Sequence, residues 1–173
     1  IDESSVITPV EMKNKCRRFK QEKGDLDLVV IDYLQLMSMG GYRIEQREKE
    51  IAAITRSIKI MAKELNIPVI CCAQLSRDSE KRTDKKPMLS DLRDSGAIEQ
   101  DADIILMLER SADNEGEINM WVRKNRQGKA GDVKVELKAN DTFTAFTDKN
   151  EPVYEPPPMP DYDFESNNQE FPF

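Results

Sequence analysis

Two apolar runs separated by a long amphipathic stretch constrain the fold more than any other feature of the sequence. Residues 28–31 and 69–73 are apolar at successive positions, as parallel strands covered on both faces require. Between them, apolar side chains recur every three or four residues without glycine or proline, which predicts a helix over residues 47–65. This order predicts a parallel βαβ unit, and a third run at residues 104–108 extends the same sheet.

Two further patterns flank this unit. One face of a predicted helix, which Gly24 ends, collects three apolar side chains, Met12, Cys16 and Phe19. Alternation of apolar and polar residues predicts antiparallel strands near residues 118–122, 133–137 and 143–145. The expected fold class is therefore α/β, a mostly parallel sheet with flanking helices that antiparallel strands extend at the carboxyl-terminal side.

Composition excludes several classes of site. The 173 residues include no histidine and three cysteines, none in C-x-x-C spacing, which excludes disulfide scaffolds, zinc sites and histidine-based triads. No apolar run approaches the roughly 20 residues that span a bilayer, and no secretory start is present. We therefore expect a cytoplasmic protein that makes no contact with a membrane.

Charge and proline content divide the chain near residue 148. Residues 148–173 hold six of the nine prolines and carry seven carboxylates against one lysine. Residues 1–147 carry 26 acidic against 25 basic side chains, so this body is nearly neutral and can still present a basic surface to nucleic acid. We expect one domain over residues 1–147 and a disordered acidic tail over residues 148–173.

Polar side chains follow two of the predicted parallel strands. Asp32 ends the first apolar run and Gln74 ends the second. Ligands of open parallel sheets bind beyond the carboxyl ends of the strands, where a carboxylate can hold Mg²⁺ and an amide can contact a terminal phosphate. Alone, the same pattern also fits an aspartate that caps a loop. Likewise, the basic connection at residues 125–131 alone fits a solvated hairpin loop.

Four strings in series resemble conserved motifs of the DnaB-type replicative DNA helicases. They are LVVIDYLQLM at 28–37, PVICCAQLSR at 68–77, LSDLRDSGAIEQDAD at 89–103 and KNRQG at 124–128. In order, they resemble the family's Walker B segment, its next strand, its DNA-contacting loop with the following helix, and the hairpin that carries the arginine finger. The match covers residues 1–147, and four motifs in this order and spacing are highly specific.

The resemblance implies a RecA-like ATPase that uses ATP and Mg²⁺. Asp32 would serve Mg²⁺, and Gln74 would sense the γ-phosphate. Lys124 and Arg126 would reach the nucleotide of the neighbouring subunit, where such a finger raises the rate by roughly 10³ to 10⁵. The implied catalytic and nucleotide-binding set is therefore these four residues, and the implied assembly is a homo-hexamer with a helicase loader and a primase as partners.

The same resemblance places single-stranded DNA at residues 91–96. Arg93 would pair with a phosphate, and Gly96 would let the backbone N–H approach the strand closely. Asp94 stands where the family commonly has glutamate, so its contact would have a shorter reach. Phosphate contacts suit a motor that moves along any sequence.

The string G-x-x-x-x-G-K-[ST] is absent from this sequence. In the family this P-loop precedes the position that matches Ile1, so the chain resembles the carboxyl-terminal part of the motor domain. We expect the isolated chain neither to hydrolyse ATP nor to bind it tightly. Because the P-loop strand lies between other core strands in RecA-like sheets, we also expect low stability and exposed apolar surface.

Two other functions stay open. A recombination or repair ATPase of the RecA or RadA type would share the aspartate at the strand end, but it need not carry the strings at 32–36 and 91–96. A non-catalytic interaction module derived from the helicase would use the acidic tail to recruit partners, and the absent P-loop is its main support.

Overall fold

The computed structural model describes residues 1–149 except residues 3, 5, 41–46, 77–81, 83–85, 93–94, 112–113, 115, 141 and 143. Its described helices are α1 (Pro9–Lys23), α2 (Arg47–Leu65) and α3 (Ser95–Asp101), with short 3₁₀ helices at Leu34–Leu36 and Leu89–Asp91. Its described strands are β1 (Val29–Ile31), β2 (Val69–Cys71), β3 (Ile104–Arg110), β4 (Glu117–Asn125), β5 (Val133–Ala139) and β6 (Phe146–Asp148).

Helix α1 begins and ends on residues that suit each role. The Thr8 hydroxyl accepts a hydrogen bond from the Glu11 N–H, and the Glu11 carboxylate accepts one from the Thr8 N–H in return. Gly24 ends the helix with φ +93°, a value that glycine adopts without strain. Met12 and Cys16 are buried as predicted, but Phe19 is exposed because the helix packs on the core only through its first two turns.

Helix α2 forms the centre of the main core. Its predicted apolar face is buried at every position, Ile51, Ile54, Ile58, Met61 and Leu65. These side chains pack with Met12 and Cys16 of α1, with Ile31 of β1 and with Leu34 and Met37 after it. Each buried aliphatic side chain of this size stabilises the fold by about 1.5–3 kcal/mol relative to an exposed one. The predicted helix over residues 47–65 is thereby confirmed.

The strands form two separate sheets. Strands β1 and β2 pair in parallel, with Ile31 opposite Cys71, whereas β3, β4, β5 and β6 form an antiparallel sheet in that order. The prediction of a strand at residues 104–108 is confirmed by β3, which among the described residues pairs only with β4, antiparallel on one of its edges; a place for β3 in the parallel sheet stays a prediction. The antiparallel prediction was confirmed for β4 and β5, and the third such strand lies at Phe146–Asp148 rather than at 143–145.

Strands of both sheets expose apolar side chains. Val30 on β1 is 60% exposed, Ile70 on β2 is 54% exposed and Leu106 on β3 is 51% exposed. The prediction that these strands are covered on both faces was therefore wrong for the chain by itself. Among the described residues, β2 pairs only with β1 and β3 only with β4. The exposed apolar surface expected for a RecA-like sheet without its P-loop strand is present here.

The described fold extends slightly beyond the predicted domain boundary. Asp148 closes β6, and the Lys149 ammonium contacts the carboxylates of Glu117 at 3.1 Å and Glu136 at 3.4 Å. Residues 150–173, which make up most of the predicted tail, lie outside the described residues. Over the described part of the chain, no helix is both long enough and apolar enough to cross a membrane.

Candidate functional site

The structure brings Asp32 and Gln74 together at one edge of the parallel pair. Because Ile31 and Cys71 are register partners, the residues that follow the two strands emerge side by side. They line an open cavity of 330 Å³ together with Tyr33, Cys72 and Ala73. Both predicted side chains are exposed to solvent in this cavity, so a ligand can reach them.

Backbone hydrogen bonds continue past the strand ends and fix the position of Asp32. The Cys72 N–H donates to the Ile31 carbonyl at 2.9 Å, and the Leu34 N–H donates to the Cys72 carbonyl at 2.9 Å. The peptide bond between Asp32 and Tyr33 is cis. Asp32 therefore lies between two backbone contacts to the neighbouring strand.

Gln35, to which no sequence pattern assigned a role, holds the backbone of Gln74. The Gln74 N–H donates to Gln35 Oε1 at 3.2 Å, and Gln35 Nε2 donates to the Gln74 carbonyl at 3.4 Å. Arg47 Nη2 in turn donates to the Gln35 carbonyl at 2.8 Å. Gln35 lies inside the string at 28–37 that carries the resemblance. The sequence does not show that its side chain pairs with the Gln74 backbone on the neighbouring strand.

Glu50 fixes the loop that follows this site. Its carboxylate accepts hydrogen bonds from the Met39 N–H at 3.0 Å and from the Ser38 hydroxyl at 3.2 Å, and it pairs with Arg47. The Met39 N–H, with smaller contributions from Arg47 and Ser38, holds the pKa of Glu50 below its ordinary value. The carboxylate is only 15% exposed, so these bonds are little screened by solvent.

The donor set at the cavity suits one kind of metal ion. Within the described residues, no group of three or more cysteine, aspartate or glutamate side chains could enclose a metal. Asp32 alone lines the cavity with a carboxylate. Mg²⁺ keeps most of its waters and is often held by one or two carboxylates together with substrate phosphates. A single carboxylate at a strand end therefore fits a magnesium ion that arrives with a nucleotide, and it does not fit an all-protein metal cage.

Lys124 and Arg126 do not line that cavity; their side chains lie against the end of α3. The Lys124 ammonium donates to the Glu99 carbonyl, and the Arg126 guanidinium donates to the Gln100 carbonyl. Arg126 Nε also lies 3.3 Å from a carboxylate oxygen of Asp103. The last carbonyl groups of a helix carry partial negative charge and attract cations, so both side chains cap α3 within their own chain.

Asp103 sits among several cations at this helix end. A hydrogen bond from Lys59, and then the positive charges of Lys59, Arg126 and Lys124, hold the pKa of Asp103 below its ordinary value. The Arg126 side chain is 50% exposed, so solvent screens its pairing with Asp103. The arrangement leaves Arg126 with partners that another anion could replace.

The predicted DNA loop is described in part. Arg93 and Asp94 lie outside the described residues. Gly96 is the second residue of α3 and is exposed. A Cβ atom added to Gly96 would meet no atom within 4 Å, so contacts in the described chain do not require glycine at this position.

Sequence comparison relates the chain to one family. A family model described as the DnaB-like helicase C terminal domain matches residues 1–148. The replicative DNA helicase DnaB of Leifsonia xyli subsp. xyli is 46% identical over 154 residues, which cover 86% of this chain and 33% of that protein. The DnaB of Geobacillus stearothermophilus is 45% identical over 141 residues, which cover 78% of this chain and 31% of that protein. The chain spans about a third of the length of these relatives.

Two solved structures share the fold. A DnaB-like replicative helicase, described with its interactions with primase, superposes with a TM-score of 0.74 at 37% identity, covering 82% of this chain and 35% of that one. The ATPase domain of G40P superposes with a TM-score of 0.75 at 37% identity, covering 83% of this chain and 52% of that one.

Proposed function

Since the chain belongs to the DnaB-like helicase C-terminal domain family, we propose that it forms part of the motor of a replicative DNA helicase. In this proposal, ATP is hydrolysed between the subunits of a homo-hexameric ring in the cytoplasm, and hydrolysis drives the ring along single-stranded DNA. The observation that carries the proposal is the cavity that joins Asp32 and Gln74 at the ends of two parallel strands.

Within this cavity each side chain has a distinct task. The Asp32 carboxylate would hold Mg²⁺ through its waters, and when bound there the ion neutralises charge on the transferred phosphoryl group. The Gln74 amide would contact the γ-phosphate or orient the attacking water. Gln35 would keep the Gln74 backbone in register with β1 through its two hydrogen bonds.

Lys124 and Arg126 complete the site of a neighbouring subunit. They cap α3 in the chain by itself, and we propose that a nucleotide on the next subunit draws them away. The phosphates of that nucleotide offer more negative charge than helix carbonyls do. A guanidinium placed on the transferred phosphoryl group stabilises the transition state.

The parallel pair also needs a P-loop. The matched part of this chain is about a third of each relative, and we propose that a segment carrying the P-loop packs on exposed apolar residues of both sheets, Val30 and Ile70 on the parallel pair and Leu106 on β3. Such a segment would supply the phosphate cradle that the sequence lacks.

DNA would bind at the loop between the second 3₁₀ helix and α3. Arg93, Asp94 and Gly96 are the proposed contacts to the phosphate backbone, and the open space at Gly96 is compatible with a close approach. The proposed protein partners are a helicase loader and a primase. The relatives reported above are replicative helicases, which favours this function over a recombination ATPase.

Unwinding of a forked duplex by the full-length protein that carries this chain tests the proposal. We expect strand separation that needs hydrolysable ATP, and we expect Asp32→Asn to lower the rate of ATP hydrolysis by at least about 10²-fold. Asp27→Asn is the matched control, because Asp27 is an exposed aspartate at the opposite end of β1. A protein that neither hydrolyses ATP nor separates strands would refute the proposed function.

A further inference from the structure

Residues 86–92, which we call the connector, lie directly before the predicted DNA-contacting residues and join two parts of the site. One end is tied to the chain that leaves β2. The Ser76 N–H donates to the Asp91 carbonyl at 2.7 Å, and Leu75 forms an antiparallel bridge with Leu92. The connector is therefore tied to the two residues of the chain that directly follow Gln74.

Asp91 locks the connector into a tight turn. Its carboxylate is 7% exposed, accepts a hydrogen bond from the Met88 N–H at 2.7 Å and pairs with Arg82. A buried carboxylate with both a backbone donor and a guanidinium is held in one geometry. We therefore expect the connector to move as a rigid unit when one of its ends is displaced.

Arg123 ties the same connector to the β4–β5 hairpin. Its side chain is only 9% exposed, and Nε donates to the Pro87 carbonyl at 2.7 Å. Nη1 donates to the Gly131 carbonyl at 2.8 Å and lies 3.5 Å from the Asp132 carboxylate. One guanidinium thus joins the connector to the carboxyl-terminal side of the hairpin loop.

Trp121 and Lys86 support this junction. The Arg123 guanidinium lies 4.8 Å from the centre of the Trp121 ring, and the Lys86 ammonium lies 4.4 Å from it. Lys86 also pairs with Asp132 at 2.5 Å. Trp121 packs against the buried cluster of Leu92, Ile105 and Met107, and both cations lie over its ring.

Lys124 follows Arg123 directly, and neighbouring side chains of a strand point to opposite faces. Arg123 contacts the connector, while Lys124 and Arg126 contact the end of α3. The connector and α3 are the two flanks of residues 93–94, two of the predicted DNA contacts. The hairpin therefore contacts the segments on both sides of the loop predicted to bind DNA.

We propose that Arg123 is a positioning residue that couples the hairpin to this DNA loop. When Lys124 and Arg126 leave α3 for the neighbour's nucleotide, Arg123 keeps the hairpin attached to the connector through Pro87, so the movement of the hairpin displaces the connector that precedes the DNA contacts. The inference rests on the proposed function, and it assigns to this chain a route by which nucleotide binding on one subunit moves the DNA contacts of the next.

The test is DNA-stimulated ATP hydrolysis by the full-length protein that carries this chain, compared for the wild type and for Arg123→Ala, Arg123→Lys and Lys134→Ala. In Arg123→Ala, we expect the ratio of stimulated to unstimulated rates to fall about tenfold. Arg123→Lys keeps the charge but replaces two separate donor nitrogens, Nε and Nη1, by one, so its ratio should be intermediate. Lys134→Ala is the control, because Lys134 also faces the Trp121 ring, at 5.9 Å, and pairs with Glu136; its ratio should equal that of the wild type.

Two further readouts separate coupling from general damage. The KM for ATP should stay within about twofold of the wild type in Arg123→Ala, because this residue touches no part of the cavity. Hydrogen exchange of residues 88–101 should be faster, with exchange in α2 unchanged. If DNA stimulates ATP hydrolysis by the wild type and by Arg123→Ala in the same ratio, the proposed role of Arg123 is wrong. The proposed function is not affected by that result. A wild-type protein without ATP hydrolysis would overturn the proposed function and this inference with it.

Discussion

The strand ends of the parallel pair and the β4–β5 hairpin present their polar groups in opposite ways. Asp32 and Gln74 are short side chains whose backbones are tied to the neighbouring strand. Lys124 and Arg126 are long cations that reach from a self-contained hairpin to the carbonyls of a helix. The strand ends can receive a ligand without moving, whereas the cations have to exchange one partner for another.

The two regions also differ in how complete they are. The antiparallel sheet pairs β4 on both of its sides, while the parallel pair is covered by α1 and α2 on one face and leaves Val30 exposed on the other. Under the proposed function, the hairpin acts on a neighbouring subunit and the strand ends are completed by further protein. This difference is what we expect of a site assembled between subunits.

Removing the finger should have the largest effect. We expect Arg126→Ala to lower kcat for ATP hydrolysis of the full-length protein about 10³-fold, because the transition state loses a guanidinium. Steady-state phosphate release measures the change. Arg18→Ala on α1 is the matched control, since both side chains are 50% exposed. A loss smaller than about tenfold would show that the hairpin is not the catalytic half.

Substitutions at buried and at exposed positions around β1 should lower the free energy of unfolding by different amounts. We expect Ile54→Ala to lower the free energy of unfolding of the chain by about 3–4 kcal/mol, because Ile54 is 0% exposed. Val30→Ala should cost less than about 0.5 kcal/mol in the chain, since Val30 is 60% exposed. In the full-length protein Val30→Ala should cost about 1.5 kcal/mol. Urea denaturation measures all three values, and an equal, small cost of Val30→Ala in both proteins would mean that nothing covers this face.

Loosening the strand ends should weaken catalysis less than removing the finger does. We expect Gln35→Ala to lower kcat by about 10-fold to 10²-fold, because the Gln74 backbone loses two hydrogen bonds and small misplacements are costly. Gln21→Ala, an exposed glutamine on α1, serves as the control in the same assay. An unchanged kcat would show that the backbone ladder alone positions Gln74.

Glu50→Gln should have the smallest effect, and the effect should depend on pH. Folding lowers the pKa of Glu50, so its ionised form stabilises the fold at every pH above its unfolded value of about 4.3, and this contribution disappears as the pH falls through the lower folded value. We expect a cost of about 1–2 kcal/mol at neutral pH. Urea denaturation near pH 7 and near pH 3 should show the larger cost at the higher pH. Glu48→Gln, one exposed position on the same helix turn, should cost little at either pH; an equal cost for Glu50→Gln at both pH values would contradict the assignment.

Sequence patterns predicted the elements that depend on interactions between residues close together in the chain. The spacing of apolar residues fixed helix α2, and the polar residue after each apolar run located Asp32 and Gln74. The sequence could not show which strand each apolar run would pair with. Residues 104–108 form the predicted strand, but its one neighbour among the described residues is the antiparallel β4. The same limit applies to Phe19, whose exposure depends on how far α1 extends past the core.

Contacts between distant residues explain what else the sequence left hidden. Lys124 and Arg126 were identified from a short string, yet their contacts with the end of α3 join residues about 25 positions apart. Gln35 and Arg123 act through hydrogen bonds to backbone groups, which do not depend on the partner's side chain, so no side-chain pattern marks their partners. Their roles become visible only once the strands and the hairpin are placed in space.

Subunit mixing tests the central claim most directly. An Asp32→Asn subunit lacks the receiving half of the site and keeps its finger, while an Arg126→Ala subunit keeps the receiving half and lacks the finger. Full-length proteins of each kind should be nearly inactive alone. In an equal mixture, about one interface in four pairs the two intact halves, so ATP hydrolysis should return to a fraction of the wild-type rate. No recovery at any ratio would contradict a site shared between subunits, and would favour the non-catalytic interaction module.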